Sequence, residues 1–149
     1  MSNELENIAT EVEDLIRKIA RIMNKRLRDS LCDSSITPPQ FYALVSIYRK
    51  DGITIGELCD RMFLACSTVS GLIDRLEKVE LVKRYRDQKD RRVVRLTLTE
   101  KGLNCTETIL DKRRKKLEDD LKMIDIEQQK ELINNLNLLL KVMRYAEEE

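Results

Sequence analysis

Histidine is absent from the 149-residue chain, and this removes more chemistry than any other feature of its composition. Ser-His-Asp triads, Cys-His pairs, His-Glu-x-x-His zinc sites and imidazole proton shuttles are all excluded. Carboxylate, lysine and tyrosine chemistry stays open, but no nucleophile–base constellation emerges, so neither enzymatic activity nor a cofactor is expected. Tryptophan is also missing, aromatic residues make up 4%, and glycine and proline number only 4 and 2. So few turn-formers leave little room for a many-stranded sandwich or barrel and favour long helices. Charged residues at 37% and hydrophobic residues at 42% suit helices that are apolar on one face and charged on the other.

The four cysteines, Cys32, Cys59, Cys66 and Cys105, contain no Cys-x-x-Cys pair, which argues against a structural zinc site. The N-terminus is acidic and amphipathic, and no apolar run approaches the ~18 residues of a membrane span. A cytoplasmic protein with reduced thiols and no membrane partner is the expectation.

The formal net charge of +1 hides an asymmetry. Residues 1–81 carry 11 basic and 13 acidic side chains, residues 102–149 carry 9 and 11, and the window 82–101 carries 8 and 3. All the positive excess lies in that twenty-residue window. A basic element on a near-neutral body is a footprint of nucleic-acid binding, though a solvated charged hairpin has the same composition.

Apolar residues from Leu5 through Ile8, Val12, Leu15, Ile19 and Ile22 to Leu27 recur at steps of three and four, predicting one long amphipathic helix. It is longer than one side of a small core needs, so part of it is expected against another chain. Thr37-Pro38-Pro39-Gln40 combines an N-cap, a proline at N1 and a capping box, and Thr54-Ile55-Gly56-Glu57 repeats the box. The first opens a helix through Phe41, Leu44, Val45 and Tyr48, and the second a short helix through Leu58 and Met62. After a tight connection over residues 63–66, Ser67 is expected to cap a further helix with Val69, Leu72, Ile73, Leu76 and Val79 buried. Two short helices so joined form a helix-turn-helix. Residues 81–86 and 93–98 are β-prone around the polar stretch Asp87–Arg92, which reads as a hairpin leaning on those helices. The fold class is therefore mainly α (α+β), a winged helix-turn-helix flanked by long terminal helices. Thr99 caps the next helix, and Asp125-Ile126-Glu127-Gln128 restarts the last one. The run Lys112–Lys116 spreads around the helix circumference and reads as a solvated face.

Asp90-Arg91-Arg92, followed after five residues by Leu98-Thr99 and then Gly102, is similar to the wing signature Asp-x-Arg-x5-Leu-Thr-x-x-Gly of the MarR family of transcriptional regulators. The stretch Ser67-Thr68-Val69-Ser70-Gly71-Leu72-Ile73-Asp74-Arg75-Leu76-Glu77 resembles that family's recognition helix. The likeness runs over nearly the whole chain. It implies a single domain, 1–149, with a DNA-binding lobe over 37–99 and a helical dimerisation lobe over 1–33 and 100–149. It also implies a homodimer that binds pseudo-palindromic double-stranded DNA, as a repressor relieved by a small molecule or an oxidant. Two departures stand out. Glu80 occupies a position where the family places glycine for a left-handed helix end, so another turn geometry is expected there. The cysteine that peroxide-sensing relatives carry near the start of the first helix is missing, and zinc-sensing relatives need histidine.

On the recognition helix, Ser67, Thr68, Ser70, Gly71 and Arg75 are the candidates for the major groove. Arg75 suits bidentate readout of guanine, and its competing role is an ion pair with Glu77. In the wing, the resemblance assigns Arg92 to the minor groove beside Arg91 and Lys89, where narrow A·T-rich grooves attract arginine. Arg84 and Arg86 are expected at phosphates. Asp74 and Asp90 are acidic beside a polyanion, which fits only if they orient arginines. Relatives bind anionic aromatic effectors in a crevice, for which Met23, Leu27, Phe41 and Tyr42 are candidates, though such residues at helical spacing also fit a core. Cys59 and Cys105 read as small core residues. Cys66 beside the recognition helix and Cys32 as an inter-subunit partner leave a redox-responsive regulator open. A protein-interaction adaptor on the same scaffold is the competing class, and the clustering of basic residues in 82–101 speaks against it.

Overall fold

The structure, a computed structural model, describes residues 2–31 and 35–147. The chain orders as helix α1 (Ser2–Leu31), α2 (Pro38–Arg49), strand β1 (Ile53–Thr54), α3 (Ile55–Met62), α4 (Cys66–Lys78), β2 (Val82–Arg86), β3 (Val94–Leu98), α5 (Glu100–Leu121) and α6 (Ile126–Glu147). It divides into two compact units, residues 1–111 and 112–149.

Both capping boxes of the first unit form. The Thr37 N–H donates to Gln40 Oε1 at 2.9 Å and the Gln40 N–H to Thr37 Oγ1 at 3.5 Å, with proline following the cap. Thr54 and Glu57 make the same reciprocal pair at 3.0 and 3.2 Å. The core gathers Leu27 and Leu31 of α1, Phe41, Leu44 and Ile47 of α2, and Leu58 of α3. Val69, Ile73 and Leu76 of α4, Val82 and Leu96 of the hairpin, and Ile109 of α5 complete it. The hairpin does not stand alone. Its sheet is antiparallel in the order β1-β3-β2, and Ile53↔Leu96 adds a strand that two residues of sequence did not announce. In the register of β2 and β3, Val82 faces Leu98, Arg84 faces Leu96 and Arg86 faces Val94.

In the second unit, the Asp125 N–H donates to Gln128 Oε1 at 3.1 Å, and the Gln128 N–H donates to Asp125 Oδ1 at 2.8 Å. Gln129 Nε2 donates back to the carbonyls of Leu121 and Ile124 at 2.8 and 3.2 Å, closing the turn between α5 and α6. Among the described residues no helix is long and apolar enough to cross a membrane.

The end of α4 departs from expectation. Glu80 takes the left-handed conformation (φ 62°) instead of a different turn. The Glu80 N–H donates to the Glu77 carbonyl at 3.0 Å and the Leu81 N–H to the Leu76 carbonyl at 2.9 Å. These two bonds satisfy the last carbonyls of the helix whichever side chain stands there. Thr99 Oγ1 donates to the Glu80 carbonyl at 2.6 Å, accepts the Gly102 N–H at 2.9 Å, and so caps α5 while clamping the turn. At Gly102 a Cβ would lie 2.0 Å from the Leu81 carbonyl oxygen, so glycine alone lets α5 start against β2. Gly102→Ala should destabilise the fold by about 3 kcal/mol, since a backbone carbonyl cannot step aside. Glu80→Gly should stabilise it by about 0.5–1 kcal/mol, the relieved left-handed cost less the added chain entropy. Urea titration of both variants checks the pair.

Candidate nucleic-acid interface

Helix α4 begins at Cys66, with Ala65 as N-cap and no side-chain capping bond. The expected cap at Ser67 is therefore corrected: the first helical bond runs from the Val69 N–H to the Ala65 carbonyl at 3.1 Å, which places Ser67 inside the first turn. Val69, Leu72, Ile73 and Leu76 are buried, as the spacing predicts. Val79, expected on the same stripe, is the C-cap and 41% exposed because the helix ends before its next turn could cover it. Ser67, Thr68, Asp74 and Arg75 are exposed, and Ser70 and Gly71 are half-buried along the edge of that face. A Cβ at Gly71 would meet nothing within 4 Å.

The 87–93 loop is built on two carboxylates. Asp87 Oδ1 accepts the N–H groups of Lys89 and Asp90 at 2.8 and 3.0 Å, and Asp87 Oδ2 takes Arg95 Nε at 2.5 Å. Arg95 in turn donates to the Gly52 carbonyl at 2.8 Å, tying the wing base to the turn before β1. The Arg95 guanidinium, with the two amides, holds the Asp87 carboxyl down from 3.8 to about 2. Nearer the tip, Asp90 Oδ1 accepts the Arg92 N–H at 3.0 Å and Nε at 3.1 Å, while Oδ2 accepts Nη2 at 3.2 Å. Arg92 lowers the Asp90 pKa by these bonds. The Arg92 side chain is nevertheless 92% exposed: anchored at one edge, it projects into solvent. Arg86 Nη1 donates to the Arg91 carbonyl at 2.8 Å, and Lys89 and Arg91 are exposed beside it.

Helix and wing are joined by Arg84. Its guanidinium bridges Asp74 at 2.7 Å and Glu77 at 3.0 Å, and its backbone N–H donates to Glu77 Oε2 at 3.3 Å. Glu77 is thus engaged by Arg84, while Arg75 stays exposed. Asp74 meets an arginine of β2, and Asp90 one of the loop.

Comparison with known proteins places this arrangement. The MarR family model matches residues 36–94. The HTH-type transcriptional regulator YsmB of Bacillus subtilis is 44% identical over 118 residues, covering 79% of this chain and 80% of that protein. The chain belongs to the MarR family. A MarR family protein from Bacillus stearothermophilus superposes with a TM-score of 0.87 at 38% identity, over 93% of this chain and 97% of that one. A mutant of MepR from S. aureus, solved bound to an oligodeoxyribonucleotide, matches at a TM-score of 0.64 and 25% identity, over 89% of this chain and 97% of that one. The MarR-type winged helix-turn-helix and the place of the chain among transcriptional regulators are thereby established.

Within this MarR-family chain, the four crevice candidates do not line one opening. Leu27 and Phe41 are closed into the core. Met23 is exposed on α1, and Tyr42 donates through its hydroxyl to Asn24 Oδ1 at 3.3 Å. Tyr42 instead borders a cleft of about 350 Å³ on α2 and the end of α3, with Val45, Arg49, Arg61, Met62 and Leu64. Arg49, Arg61 and Arg95 went unnoticed in the sequence, where the one available signal was an aspartate and an arginine bracketing the wing loop. Cys59 is buried, Cys66 exposed and Cys105 half-buried, its thiol pushed up by burial. Cys32 lies outside the described residues.

Because the Asp87 pKa is lowered on folding, its contribution is present above its ordinary value and is lost as pH falls from about 4 towards 2. Asp87→Asn should flatten the acid limb of the stability profile. It should also speed hydrogen exchange at the Lys89 and Asp90 amides, which NMR at several pH values would read.

Proposed function

We propose that the protein is a sequence-specific DNA-binding transcriptional regulator, a homodimeric repressor of a pseudo-palindromic operator whose affinity a small molecule changes. The observation that carries this reading is the Asp90–Arg92 pair, which fixes the base of a guanidinium whose body is exposed. A stability role asks for no such projection, whereas a cation entering a minor groove does.

The recognition helix α4 then enters the major groove with Ser67, Thr68, Ser70 and Gly71 close to the bases and Arg75 reading guanine. Gly71 supports this independently. Glycine costs a helix about 1 kcal/mol relative to alanine, and nothing within 4 Å inside the protein requires it. The missing methyl leaves room for a duplex edge. Arg91, Lys89 and Arg86 meet the backbone beside Arg92. Arg84, between Asp74 and Glu77, sets the angle between helix and wing instead of contacting a phosphate.

Leu5, Ile8 and Ile19 are exposed on α1 of the first unit, and Ile133, Leu136 and Leu140 on α6 of the second; each is an apolar face that a second copy would cover. Two modules so paired fit half-sites about 34–36 Å apart, or a multiple of that spacing. The effector site is the cleft beside Tyr42, where Arg49 and Arg61 flank apolar Val45 and Met62, a lining suited to an anionic aromatic molecule.

Duplexes selected from genomic fragments by the purified protein, followed by fluorescence anisotropy across salt concentrations, test the assignment. Arg92→Ala should weaken all duplexes and reduce the salt slope by about one, whereas Arg75→Ala should cost about 1–3 kcal/mol of discrimination at one base pair. Asp90→Ala should lower affinity although it removes a negative charge. Gly71→Ala should raise thermal stability and lower operator affinity together. Equal, sequence-independent losses for Arg75→Ala and Arg92→Ala would remove Arg75 from base readout.

A further inference from the structure

The turn between α3 and α4 carries a side chain that the fold itself does not use. Phe63 caps α3 in the left-handed conformation (φ 52°), a region that a bulky residue enters only at a cost. Its N–H donates to the Asp60 carbonyl and the Leu64 N–H to the Cys59 carbonyl, both at 3.4 Å. Backbone alone closes this turn, so glycine or asparagine would serve it with less strain. The Phe63 ring gains nothing inside the protein to offset that strain. It is 93% exposed, and among the described residues the aromatic contact is that of Phe41 with Tyr42. Met62 and Leu64 line the cleft beside Tyr42, but Phe63 between them does not. A molecule filling that cleft would leave the ring bare.

Backbone strain held without an internal gain points outward, to a contact made on binding. The surroundings of the ring say which contact. Residues 63–68 are all exposed and uncharged, in a chain of which 37% is charged. From Met62 to Ile73 no acidic or basic side chain occurs. A lysine or arginine in this strip would seek phosphates, and a carboxylate would be repelled by them. An uncharged strip that leads into the first turn of α4 suits base edges, whose apolar feature in the major groove is the 5-methyl group of thymine.

We propose that Phe63 is a specificity-determining residue that packs against the 5-methyl group of a thymine at the edge of the major groove. The proposal rests on the reading of α4 as the recognition helix, which sets the turn before Cys66 beside the groove that Ser67 and Thr68 enter. Covering the ring and the methyl removes apolar area of both from water, and a cytosine at the same place offers no methyl to cover. The contact supplies what the hydroxyls of Ser67 and Thr68 lack, since hydroxyls bond to any base whereas the methyl marks thymine. A second copy of the chain over Phe63 is the competing occupant.

Duplexes selected from genomic fragments by the full-length protein supply the probe. Each thymine in turn is replaced by deoxyuridine, which keeps the base pair and removes only the methyl, and affinity is read by fluorescence anisotropy. One position in each half-site should lose about threefold to fivefold in affinity, the effect of one buried methyl. Phe63→Asn, whose side chain tolerates the left-handed turn, should melt no lower than the parent and bind the thymine duplex more weakly. It should also bind the thymine and deoxyuridine duplexes equally, the coupling that a double-mutant cycle isolates. Phe63→Tyr keeps the ring and should keep the preference for thymine, and Phe63→Gly repeats the comparison should Phe63→Asn fold poorly. Absence of any methyl dependence, or a dependence that survives loss of the ring, would overturn the proposal. Phe63→Asn that sediments differently from the parent while its thymine preference persists would give the ring to a second copy and overturn it too. Protein that selects no duplex would overturn the regulator reading and this inference with it, whereas a selected duplex without methyl dependence overturns the role of Phe63 alone.

Discussion

The backbone of Leu81 is where the recognition helix, both wing strands and the first turn of α5 converge. Its N–H closes the end of α4 on Leu76, and its carbonyl accepts the Thr99 N–H at 3.1 Å. That same carbonyl occupies the space a Cβ on Gly102 would need. Leu81 is itself buried, so water cannot substitute for these bonds. The junction fixes where β2 leaves the helix and where α5 begins. The angle at which the wing stands beside α4 follows from it, and Arg84 reinforces that angle with two carboxylates of α4.

The eight basic residues of the 82–101 window look alike in the sequence but divide by task in the structure. Arg84 and Arg95 are consumed by Asp74, Glu77, Asp87 and the Gly52 carbonyl, and they build the wing. Arg91, Arg92 and Lys89 stay outward at its tip. An uncharged frame of the same shape would need apolar packing that a short hairpin has too little area to supply. Internal ion pairs hold the frame instead, and the tip cations stay exposed to a partner, Arg92 with one edge on Asp90.

The legible parts of the fold were those written in local chemistry. Thr37 with Gln40, Thr54 with Glu57 and Asp125 with Gln128 each satisfy amides within one turn, so three residues of spacing suffice to read them. Ala65 offers no capping side chain to read, and the nearest hydroxyl, Ser67, stands two positions inside the helix. Strand β1 is two residues long and exists only because Leu96 arrives opposite Ile53. The left-handed turn at Glu80 is not legible from its residue type, because bonds from Leu81 and Thr99 hold it. The partition of the arginines depends on the register of β2 against β3, which composition does not contain. The buried face of α4 was legible from periodicity, whereas the burial of Leu27 and Phe41 was not, since they have the same spacing whether they line a cleft or fill a core.

The proposed effector cleft borders the turn that precedes α4. Arg61, Met62 and Leu64 border the cleft, and Cys59 and Cys66 stand on either side of the same turn. Phe63 between them is 93% exposed and in a backbone region that a bulky residue enters only at a cost. Little side-chain packing therefore holds this turn, in contrast to the clamped junction at Leu81. The two ends of α4 differ in consequence: the C-terminal end is locked to the wing, and the N-terminal end rests on a weakly held loop. A ligand acting there would pivot α4 about its fixed end. The largest displacement would fall on Ser67 and Thr68, and the wing would keep its place.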